Sequence, residues 1–591
     1  MSQTAAQITI LDAGGQYCHL IARKVRELGV YADVRRSDTP AAELAGARGL
    51  IISGGPASVY DPSSPTIDPA ILQDGHPVLG ICYGQQLMAH LLGGGVQKGD
   101  KGEYGLATLQ LNPTPGTLFT GCAPSSQIWM SHRDVVAGLP SGFAVAASTS
   151  TCSTAAIVNP DRGLYGVQFH PEVVHTTDGK RVLSNFVFDI CRCVPDWDPR
   201  DRVAQIENEI RECVGDRKVF FFVSGGVDST VAFTLCLQAL GRDRVRGVYV
   251  DTGLMREGET DIVRRMFAQL GADTVAIESA ARQFLTPLAT ICEPEEKRAI
   301  IGEEFVRVQE RIIENRHLLE EGWILGQGTI YPDTIESGGT SNAAVIKTHH
   351  NRVPGIQKLI DSGRIVEPLK SFYKDEVREI GRELGLPNEF LDRHPFPGPG
   401  LAIRCLCTET AAAVIPIEEG WVVPIRSVGV QGDSRTYGHV LAIDQFPTPE
   451  TALQDQATAL VNQLTEINRV IAVTGSMVPI AELRVEPARL TRTRLERLRG
   501  ADRIVRDFCH STGFDSKVWQ FPVVLIPLGT SDNPDSIVLR PIDSVDGMTA
   551  QSVNMPAEWL RNLTTHILQV EGIAAVFYDL THKPPATIEW E

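Results

Sequence analysis

Short apolar runs alternate with amphipathic stretches over the first two thirds of the chain. Within residues 8–190 the β-rich runs are "ITILDAG", "GLIISGG", "HPVLGICYG" and "LYGVQFHPE", each ending in glycine or polar residues, whereas "HLIARKVRELG" has helical spacing. Such alternation is typical of a parallel α/β sheet. The pattern therefore predicts a doubly wound α/β domain, and the proline-rich "CVPDWDPRD" (193–201) predicts a linker after it.

A second α/β unit follows the linker. "KVFFFV" predicts a buried strand, "DSTVAFTLCLQAL" a helix and "VRGVYVDTG" the next strand. This βαβ order continues to about residue 403, where "HPFPGPGLAIR" (394–404) is too rich in proline and glycine for a helix or a strand ladder. We therefore predict domains at residues 1–196, 197–403 and 404–591.

The last domain has a different pattern. "VVPIRSVGVQGDSRTYGHVLAI" precedes a candidate helix and "INRVIAVTG", and "FPVVLIPLG" and "SIVLRPIDSVDGMTA" precede "PAEWLRNLTTHILQV" and "IAAVFYDLT". Each half reads as strands, a helix and a returning strand, which predicts a duplicated α+β unit. The alternative is a pair of unrelated strand-rich segments. The predicted fold class is α/β, with two doubly wound parallel-sheet domains and an α+β C-terminal domain.

Composition narrows the functional classes. The 591 residues are 43% hydrophobic and 21% charged, which is ordinary for a soluble globular protein. A net charge of −17 argues against nucleic-acid binding, which needs clustered Lys and Arg. No apolar run approaches the roughly 18 residues of a membrane span, and Met1–Thr4 carries no secretory pattern. The twelve cysteines form no C-x-x-C pair, so we expect reduced thiols in a cytoplasmic protein rather than disulfides or a zinc site.

The first domain carries a candidate nucleophile. Gly80-x-Cys82-x-Gly84 lies between a strand and a helix, which is the spacing of a nucleophile elbow. "VQFHPE" places His170 and Glu172 two apart at a strand end, where both would face the same side and Glu172 would orient the imidazole. "SGGP" (53–56) offers backbone N–H groups for an oxyanion. Each motif alone fits a structural role, and their combination favours catalysis.

These motifs resemble the class I glutamine amidotransferases, as do "LDAGGQYCHLIARKVRELGVY" (11–31) and "WMSHRDVV" (129–136). The resemblance implies that Cys82 attacks the glutamine carboxamide, His170 shuttles the proton and Glu172 holds the imidazole. It assigns the oxyanion and glutamine site to four further residues, which are Gly54, Gly55, Tyr83 and Gln86. Ala13 and Arg133 depart from the usual family residues, and Arg133 bears on how the site is gated.

The second domain carries a phosphate loop without the usual lysine. "SGGVDST" lacks G-x-x-x-x-G-K-[ST] and is therefore not a Walker A loop, yet its glycines, hydroxyls and the following helix N-terminus suit phosphate oxygens. Asp228 in place of lysine suggests that Mg²⁺ balances the charge, since Mg²⁺ prefers oxygen ligands. The string resembles the loop of the N-type ATP pyrophosphatases, which implies cleavage of ATP between its α- and β-phosphates. The implied ATP-binding residues are Ser224, Gly225, Gly226, Val227, Asp228, Ser229, Thr230 and Asp251.

Further motifs occur in order along the chain. They are "EEKRAIIG", "QGTIYPDTIES", "IKTHHN", "EPLKSFYKDEVREIGRELGLP", "HPFPGPGLAIR", "GVQGDSRTYGH" and "KPPATIEWE". The ordered set resembles the glutamine-hydrolysing GMP synthetases over essentially the whole chain, in their longer form with a doubled dimerisation-type domain. The resemblance implies XMP contacts from Arg298, Arg435, Gln520, Lys583 and Glu589. It also implies a lid or phosphate site that includes Lys347, His349, His350 and Lys370.

The implied reaction is the amination of XMP to GMP with ATP, Mg²⁺ and glutamine, through adenyl-XMP. Gly547 and His582 depart from the pattern of shorter relatives and bear on tail packing or subunit contacts. Monomer and homodimer both stay open, and a dimer would form through the C-terminal domain. We expect no nucleic-acid or membrane partner.

Two rival functions belong to other classes. An RNA-modifying pyrophosphatase would carry basic patches and a C-x-x-C pair, which the acidic balance and the cysteine spacing oppose. A non-catalytic nucleotide-sensing module would lack Cys82, His170 or Asp228, and all three are present. A synthetase with an added interaction role stays open.

Overall fold

The computed structural model describes residues 6–15, 17–113, 116–271, 275–320, 322–336, 354–394, 396–431, 434–449, 453–464, 466–544, 550–583 and 585–591. The chain divides into two units, Met1–Asp201 and Arg202–Glu591. The division lies close to the predicted linker, while the predicted boundary at residue 403 falls inside the second unit and stays a prediction. In the described part of the chain, no helix combines the length and the apolarity that crossing a membrane requires.

The first unit is built on one nine-stranded sheet. Its strands are β1 (Ile8–Asp12), β2 (Ala32–Arg36), β3 (Gly49–Ile52), β4 (Val78–Ile81), β5 (Gly95–Leu111), β6 (Ser125–Gly138), β7 (Ala144–Ser148), β8 (Ala156–Asn159) and β9 (Leu164–Val167). Its helices are α1 (Cys18–Arg26), α2 (Ala41–Leu44), α3 (Tyr83–Leu91) and α4 (Gly179–Ser184), with a π-helical segment at Asn185–Ile190 and 3₁₀ turns at Pro69–Leu72, Thr117–Phe119 and Pro160–Arg162.

The strand order is β2-β1-β3-β4-β9-β8-β7-β5-β6. The strands from β2 to β9 pair in parallel, and those from β9 to β6 pair antiparallel. Every residue of β3, β4 and β9 is buried, as expected for parallel strands covered on both faces. The carboxyl ends of the parallel strands share one edge of the sheet, which is where ligands bind in such folds. The antiparallel half was not predicted from the sequence pattern.

The second unit begins with a five-stranded parallel sheet. Its strands are β10 (Lys218–Val223), β11 (Val245–Asp251), β12 (Val275–Ser279), β13 (Trp323–Gly326) and β14 (Ile365–Val366). Its helices are α5 (Val203–Val214), α6 (Val227–Leu240), α7 (Glu259–Gln269), α8 (Ala281–Leu288), α9 (Pro294–Asn315), α10 (Tyr331–Glu336), α11 (Pro354–Asp361), α12 (Lys374–Glu383) and α13 (Asn388–Leu391), with 3₁₀ turns at Arg200–Arg202 and Gly400–Ile403.

The strand order of this sheet is β12-β11-β10-β13-β14. The order reverses between β10 and β13, which makes that position the topological switch point of a doubly wound sheet. The segment "SGGVDST" follows β10 directly and leads into α6. Topology therefore places the predicted phosphate loop at the point where such sheets bind nucleotides.

The described remainder of the second unit holds a seven-stranded sheet, a three-stranded sheet and a two-stranded pair. The strands are β15 (Ala412–Ala413), β16 (Ile415–Ile417), β17 (Gly420–Gln431), β18 (Ser434–Ile443), β19 (Ile467–Ser476), β20 (Arg484–Val485), β21 (Val523–Ile526), β22 (Leu528–Gly529), β23 (Asp535–Leu539), β24 (Ile542–Asp543), β25 (Gln551–Ser552) and β26 (Ile573–Asp579). The helices are α14 (Leu453–Gln463), α15 (Arg492–Thr512) and α16 (Ala557–Ile567), with 3₁₀ turns at Ile480–Glu482 and Phe514–Lys517.

The main C-terminal sheet has the order β16-β17-β18-β19-β26-β23-β21. β17 and β18 form an antiparallel pair, and β19 returns in parallel to β18 after α14. β21 and β23 likewise pair antiparallel, and β26 returns in parallel to β23 after α16. The two returning strands, β19 and β26, pair antiparallel in the middle. Both halves thus share one ββαβ order, which is what an internal duplication requires, and the predicted fold class is confirmed.

A buried charge cluster joins this sheet to the last residues of the chain. The Asp579 carboxylate lies 2.9 Å from Arg469 Nη1 and 2.7 Å from Arg540 Nη1, and all three side chains are fully buried. Trp590 Nε1 donates to the same carboxylate at 3.0 Å. Burial by itself raises the pKa of Asp579, but the two guanidinium groups outweigh it and hold the pKa below its usual value.

We expect Asp579→Asn to lower the free energy of unfolding of this unit by about 3–5 kcal/mol, because two buried guanidinium groups lose their counter-charge. The midpoint of urea or thermal unfolding, followed by circular dichroism, measures the effect. Because the pKa of Asp579 is depressed, its contribution is present at neutral pH and declines as the pH falls below about 4.

Glu496→Gln is the matched control for Asp579→Asn. Glu496 pairs with Arg492 at 3.0 Å, but both side chains are exposed, so its loss is expected to change stability by less than about 1 kcal/mol. Equal effects of the two substitutions would contradict the importance assigned to the buried cluster.

Candidate active sites

The first site is built around a strained turn between β4 and α3. Cys82 has φ 52° and ψ −109°, a conformation that non-glycine residues rarely adopt and that costs about 1–3 kcal/mol. A Cβ atom on Gly84 would lie 2.3 Å from the carbonyl oxygen of Ile52, and one on Gly80 would lie 2.5 Å from that of Gly84. Close backbone packing therefore explains both glycines of the motif, and the turn carries the thiol to the carboxyl edge of the sheet.

His170 and Glu172 complete a buried triad with Cys82. His170 Nδ1 donates to Glu172 Oε1 at 2.7 Å, and the ring also hydrogen-bonds to the Cys82 side chain. Both residues follow the end of β9 in a turn, rather than sharing a strand face as the i, i+2 spacing had suggested. Burial lowers the pKa of His170, but the Glu172 charge and the two hydrogen bonds outweigh it and raise the pKa to about 10. The ring therefore carries a proton at neutral pH.

Gly54 and Gly55 close one side of the triad. A Cβ atom on Gly54 would lie 3.0 Å from His170 Cε1 and 3.4 Å from Cys82 Cβ, so the backbone at this position lies directly against both catalytic groups. A Cβ atom on Gly55 would lie 2.4 Å from the Ala13 carbonyl oxygen. The loop after β3 is thus packed between the triad and the loop after β1, as a predicted oxyanion segment must be.

The side chains of Tyr83 and Gln86 bind protein groups. The Tyr83 hydroxyl donates to the Pro65 carbonyl at 2.6 Å. The Gln86 amide donates to the Asp134 carbonyl at 2.7 Å and to Gln168 Oε1 at 3.1 Å. The structure does not bring these two side chains to the triad; they fix the helix that follows the nucleophile. Arg133, the departure noted in the sequence, is exposed.

Two neighbours of the triad were missed by the sequence analysis. The Tyr17 ring meets the His170 ring edge-on, with centroids 5.1 Å apart and planes at 67°. The Ser131 carbonyl accepts from the Cys82 thiol at 3.6 Å. The sequence gives no indication of either contact, because Tyr17 contacts His170 through its aromatic ring and Ser131 contacts Cys82 through its backbone carbonyl.

The second site is the loop between β10 and α6. Gly225 has φ +75°, and Gly226 N–H donates to Ser224 Oγ at 3.2 Å. Ser224 and Ser229 hydroxyls lie 3.0 Å apart, and Thr230 Oγ1 donates to the Gly226 carbonyl at 2.9 Å. The predicted residues Ser224 to Thr230 therefore form one hydrogen-bonded turn at the N-terminus of a 14-residue helix.

Asp228 lies in the first turn of α6, near one lysine and one further carboxylate. Its Oδ2 is 3.4 Å from Lys374 Nζ, whereas its Oδ1 is buried and has no hydrogen-bond partner among the described residues. Burial raises the pKa of Asp228, the Lys374 charge opposes this, and the nearby Asp333 carboxylate raises it again. A buried, unpaired carboxylate oxygen beside a second carboxylate is a donor set that suits Mg²⁺.

Two other strand ends approach this loop. A Cβ atom on Gly328, just after β13, would lie 2.8 Å from the Ser229 amide nitrogen, so the two backbones touch. Asp251 ends β11, and its Oδ1 accepts from Gly253 N–H at 3.0 Å. The predicted adenosine contact is thus on the neighbouring strand of the same carboxyl edge.

Two of the predicted XMP residues, Arg298 and Glu589, are held at the end of the chain. Arg298 donates to the Glu591 carbonyl oxygen. Glu589 is held bidentately by Arg404, at 2.9 Å to Nε and 2.7 Å to Nη2. Gln520 is buried, with Oε1 unpaired among the described residues, and Lys583 pairs through its backbone with Ala550.

Arg404 was missed as a site residue, although it ends the quoted motif "HPFPGPGLAIR". Lys297, beside Arg298, was missed as well, and its Nζ donates to Glu591 Oε2 at 2.7 Å.

The structure does not describe several of the predicted residues. Lys347, His349, His350 and Gly547 lie outside the described residues, as does the side chain of Arg435, whose backbone lies in β18. Lys370 is exposed after β14. His582 Nδ1 accepts from Ser552 N–H at 3.1 Å, so this departure from the family pattern is packed into the structure.

Comparison with known proteins adds family matches to this geometry. Residues 9–190 match the family Glutamine amidotransferase class-I, residues 200–307 match NAD synthase and residues 507–590 match GMP synthase C terminal domain.

Curated relatives match along the whole chain. The protein "Probable GMP synthase [glutamine-hydrolyzing]" of Leptospira interrogans is 42% identical, with 99% of each chain covered. "GMP synthase [glutamine-hydrolyzing]" of Syntrophomonas wolfei is 40% identical and that of Caldicellulosiruptor saccharolyticus is 39% identical, again with 99% of each chain covered. On this identity and coverage, the chain belongs to the glutamine-hydrolysing GMP synthase family.

Proposed function

We propose that this protein aminates XMP to GMP, taking ammonia from glutamine and energy from ATP. The observation that carries the proposal is the pairing, in one chain, of a buried Cys–His–Glu triad with a lysine-free phosphate loop at a sheet switch point. Full-length identity of about 40% to GMP synthases supports the same reaction. The products are GMP, AMP, pyrophosphate and glutamate.

The triad supports glutamine hydrolysis through a thioester. With the Cys82 proton held on His170, the Cys82 thiolate attacks the carboxamide carbon of glutamine, the C–N bond breaks, and the His170 imidazolium gives that proton to the departing amide nitrogen, which leaves as ammonia. Glu172 keeps the ring oriented through Nδ1. The N–H of Tyr83, the residue after the nucleophile, and the backbone at Gly54 are the oxyanion donors. Water then hydrolyses the thioester to glutamate.

The phosphate loop supports attack at the α-phosphorus. XMP O2 displaces pyrophosphate, which is held by the hydroxyls of Ser224 and Ser229 and by the α6 N-terminus. Ammonia then attacks C2, and AMP leaves with the oxygen. Adenylation is needed because the bare oxygen at C2 is a poor leaving group, whereas a phosphate ester oxygen departs readily.

The acidic end of α6 supports Mg²⁺ as the cation for this step. Asp228 Oδ1 is the buried unpaired atom, and Asp333 is the second carboxylate. When bound, Mg²⁺ supplies charge neutralisation for the phosphates. Asp228 and Asp333 would hold it, and Lys374 lies 3.4 Å from the other Asp228 oxygen, Oδ2.

The proposed XMP site lies around the last residues of the chain, where Arg298 contacts Glu591 and Arg404 holds Glu589. We propose Arg298, Arg435 and Lys583 as its cationic contacts, Gln520 and Glu589 as partners of the base, and Lys347, His349, His350 and Lys370 as lid or phosphate residues. A homodimer through the C-terminal domain and a cytoplasmic location are part of the proposal, and the twelve free thiols suit a reducing compartment.

Product analysis tests the overall reaction. Purified protein with XMP, Mg²⁺-ATP and glutamine is expected to form GMP, AMP and pyrophosphate in equal amounts, as separated by ion-exchange chromatography. ADP and inorganic phosphate in place of AMP and pyrophosphate would rule out the adenylate route.

Cys82→Ala tests the division of labour between the two sites. Glutamine-dependent GMP formation is expected to fall by more than about 1,000-fold because the nucleophile is lost. Ammonium-dependent GMP formation is expected to stay within about twofold, since ammonia bypasses the triad. Cys122→Ser is the matched control, as Cys122 belongs to the same unit and has no place in the triad. Loss of both activities in a folded Cys82→Ala protein would contradict the assignment.

Asp228→Asn tests the metal and phosphate assignment. Ammonium-dependent AMP formation is expected to drop by at least about 100-fold, and the Mg²⁺ concentration for half-maximal rate is expected to rise, because a carboxylate ligand is lost. Asp216→Asn, at an exposed turn before β10, is the control. An unchanged Mg²⁺ dependence in Asp228→Asn would remove Asp228 from the metal site.

A further inference from the structure

Three side chains with metal-binding chemistry meet on the antiparallel half of the first sheet. Glu103, His132 and Cys152 each offer one ligand atom, and these atoms lie within 4.8 Å of one another. None of the three belongs to the triad or to the phosphate loop. We propose that they form a binding site for a zinc-class divalent metal ion, which no part of the proposed reaction requires.

The orientation of His132 fits a metal ligand. Its Nδ1 lies 3.1 Å from the Asp134 carbonyl oxygen and therefore donates to it, as metal-bound imidazoles commonly do. Its Nε2 lies 2.9 Å from Glu103 Oε2, so these two groups are already in contact. A bound cation replaces that contact with one bond to each group. Tetrahedral zinc with bonds of about 2.0–2.1 Å holds such ligand atoms roughly 3.3 Å apart, and the three atoms here lie within 4.8 Å of one another, so binding draws them together by no more than about 1.5 Å.

Thr149 supports the other two ligands. Its hydroxyl donates to Glu103 Oε1 at 3.1 Å and accepts from the Cys152 amide at 2.9 Å. Glu103 and His132 face each other on the paired strands β5 and β6. The ligands are therefore held by two strands and one tight turn, and each has a hydrogen bond that fixes it.

The ligand set selects the metal. A thiol with an imidazole and a carboxylate suits Zn²⁺ or Co²⁺, whereas Mg²⁺ and Ca²⁺ take oxygen ligands. Binding forms the metal–sulfur bond and releases the thiol proton to solvent.

The site is one residue from a group that touches the nucleophile. Ser131 precedes His132 on β6, and its carbonyl accepts from the Cys82 thiol at 3.6 Å. Metal binding at His132 therefore acts on the backbone beside Cys82. This consequence rests on the proposed function: occupancy of the site slows glutamine hydrolysis.

Cobalt binding tests the site by itself. Full-length Cys82→Ala protein, which removes the competing thiol, is titrated with Co²⁺ and followed by its sulfur-to-cobalt charge-transfer absorption. About one equivalent is expected to bind, and adding Cys152→Ala is expected to abolish the band and weaken binding more than about 100-fold. Cys122→Ser on the same background is the control and keeps both. A band of equal strength after Cys152→Ala overturns the site.

His132→Gln gives a second, independent variant. It is expected to lose Co²⁺ binding in the same way, and circular dichroism establishes that each variant is folded. Full binding by a folded His132→Gln protein would also overturn the site.

Zinc inhibition tests the coupling. Zn²⁺ is expected to inhibit glutamine hydrolysis by the unsubstituted protein, and Cys152→Ala is expected to need more than about tenfold more Zn²⁺ for the same inhibition. Equal inhibition would place the effect at Cys82 and overturn the coupling. A protein that hydrolyses no glutamine at all would contradict the proposed function, while the cobalt titration would still decide the metal site.

Discussion

Close backbone approach at the carboxyl ends of parallel strands is the constraint on which both candidate sites depend. Gly54 meets Cys82 and His170, and Gly328 meets the first turn of α6, in each case at distances that leave no room for a Cβ atom without displacement. The reactive groups are therefore positioned by main chain rather than by long side chains. Positions fixed by main chain lose little entropy when a substrate binds, and this pre-organisation is what electrostatic catalysis needs.

Buried charge plays a different part in the second unit. Arg469 and Arg540 share one carboxylate and both donate to the carbonyl oxygen of Thr587. Lys297 and Arg298 bind Glu591, and Arg404 binds Glu589. Lysine and arginine side chains from distant parts of the sequence therefore hold residues 587–591 in place. The proposed XMP site includes part of this tail. Its affinity for XMP therefore depends on the contacts that keep the tail ordered.

The sequence predicted the elements that have local signals. Apolar runs with terminal glycines marked the parallel strands, and G-x-C-x-G, H-x-E and SGGVDST marked short segments whose residues meet in the structure, although His170 and Glu172 do so in a turn and not on one strand face. Tyr17, Ser131, Lys297 and Arg404 were missed because their roles arise from contacts across long stretches of chain. The same holds for Glu103, His132 and Cys152, whose wide spacing resembles no short metal motif. The antiparallel half of the first sheet was missed because strand direction depends on which distant segments pair, and the local sequence pattern carries no signal for that pairing.

The two ββαβ halves of the C-terminal sheet meet through the antiparallel pair of their returning strands, β19 and β26. One ββαβ half on its own would end in a returning strand with unpaired N–H and C=O groups, and such an edge invites pairing with another copy. Here β19 and β26 satisfy each other inside one chain. Because both strands belong to one chain, their pairing does not depend on protein concentration. A sheet formed by two separate chains would dissociate on dilution. Any self-association of the protein has to use surfaces other than this central seam.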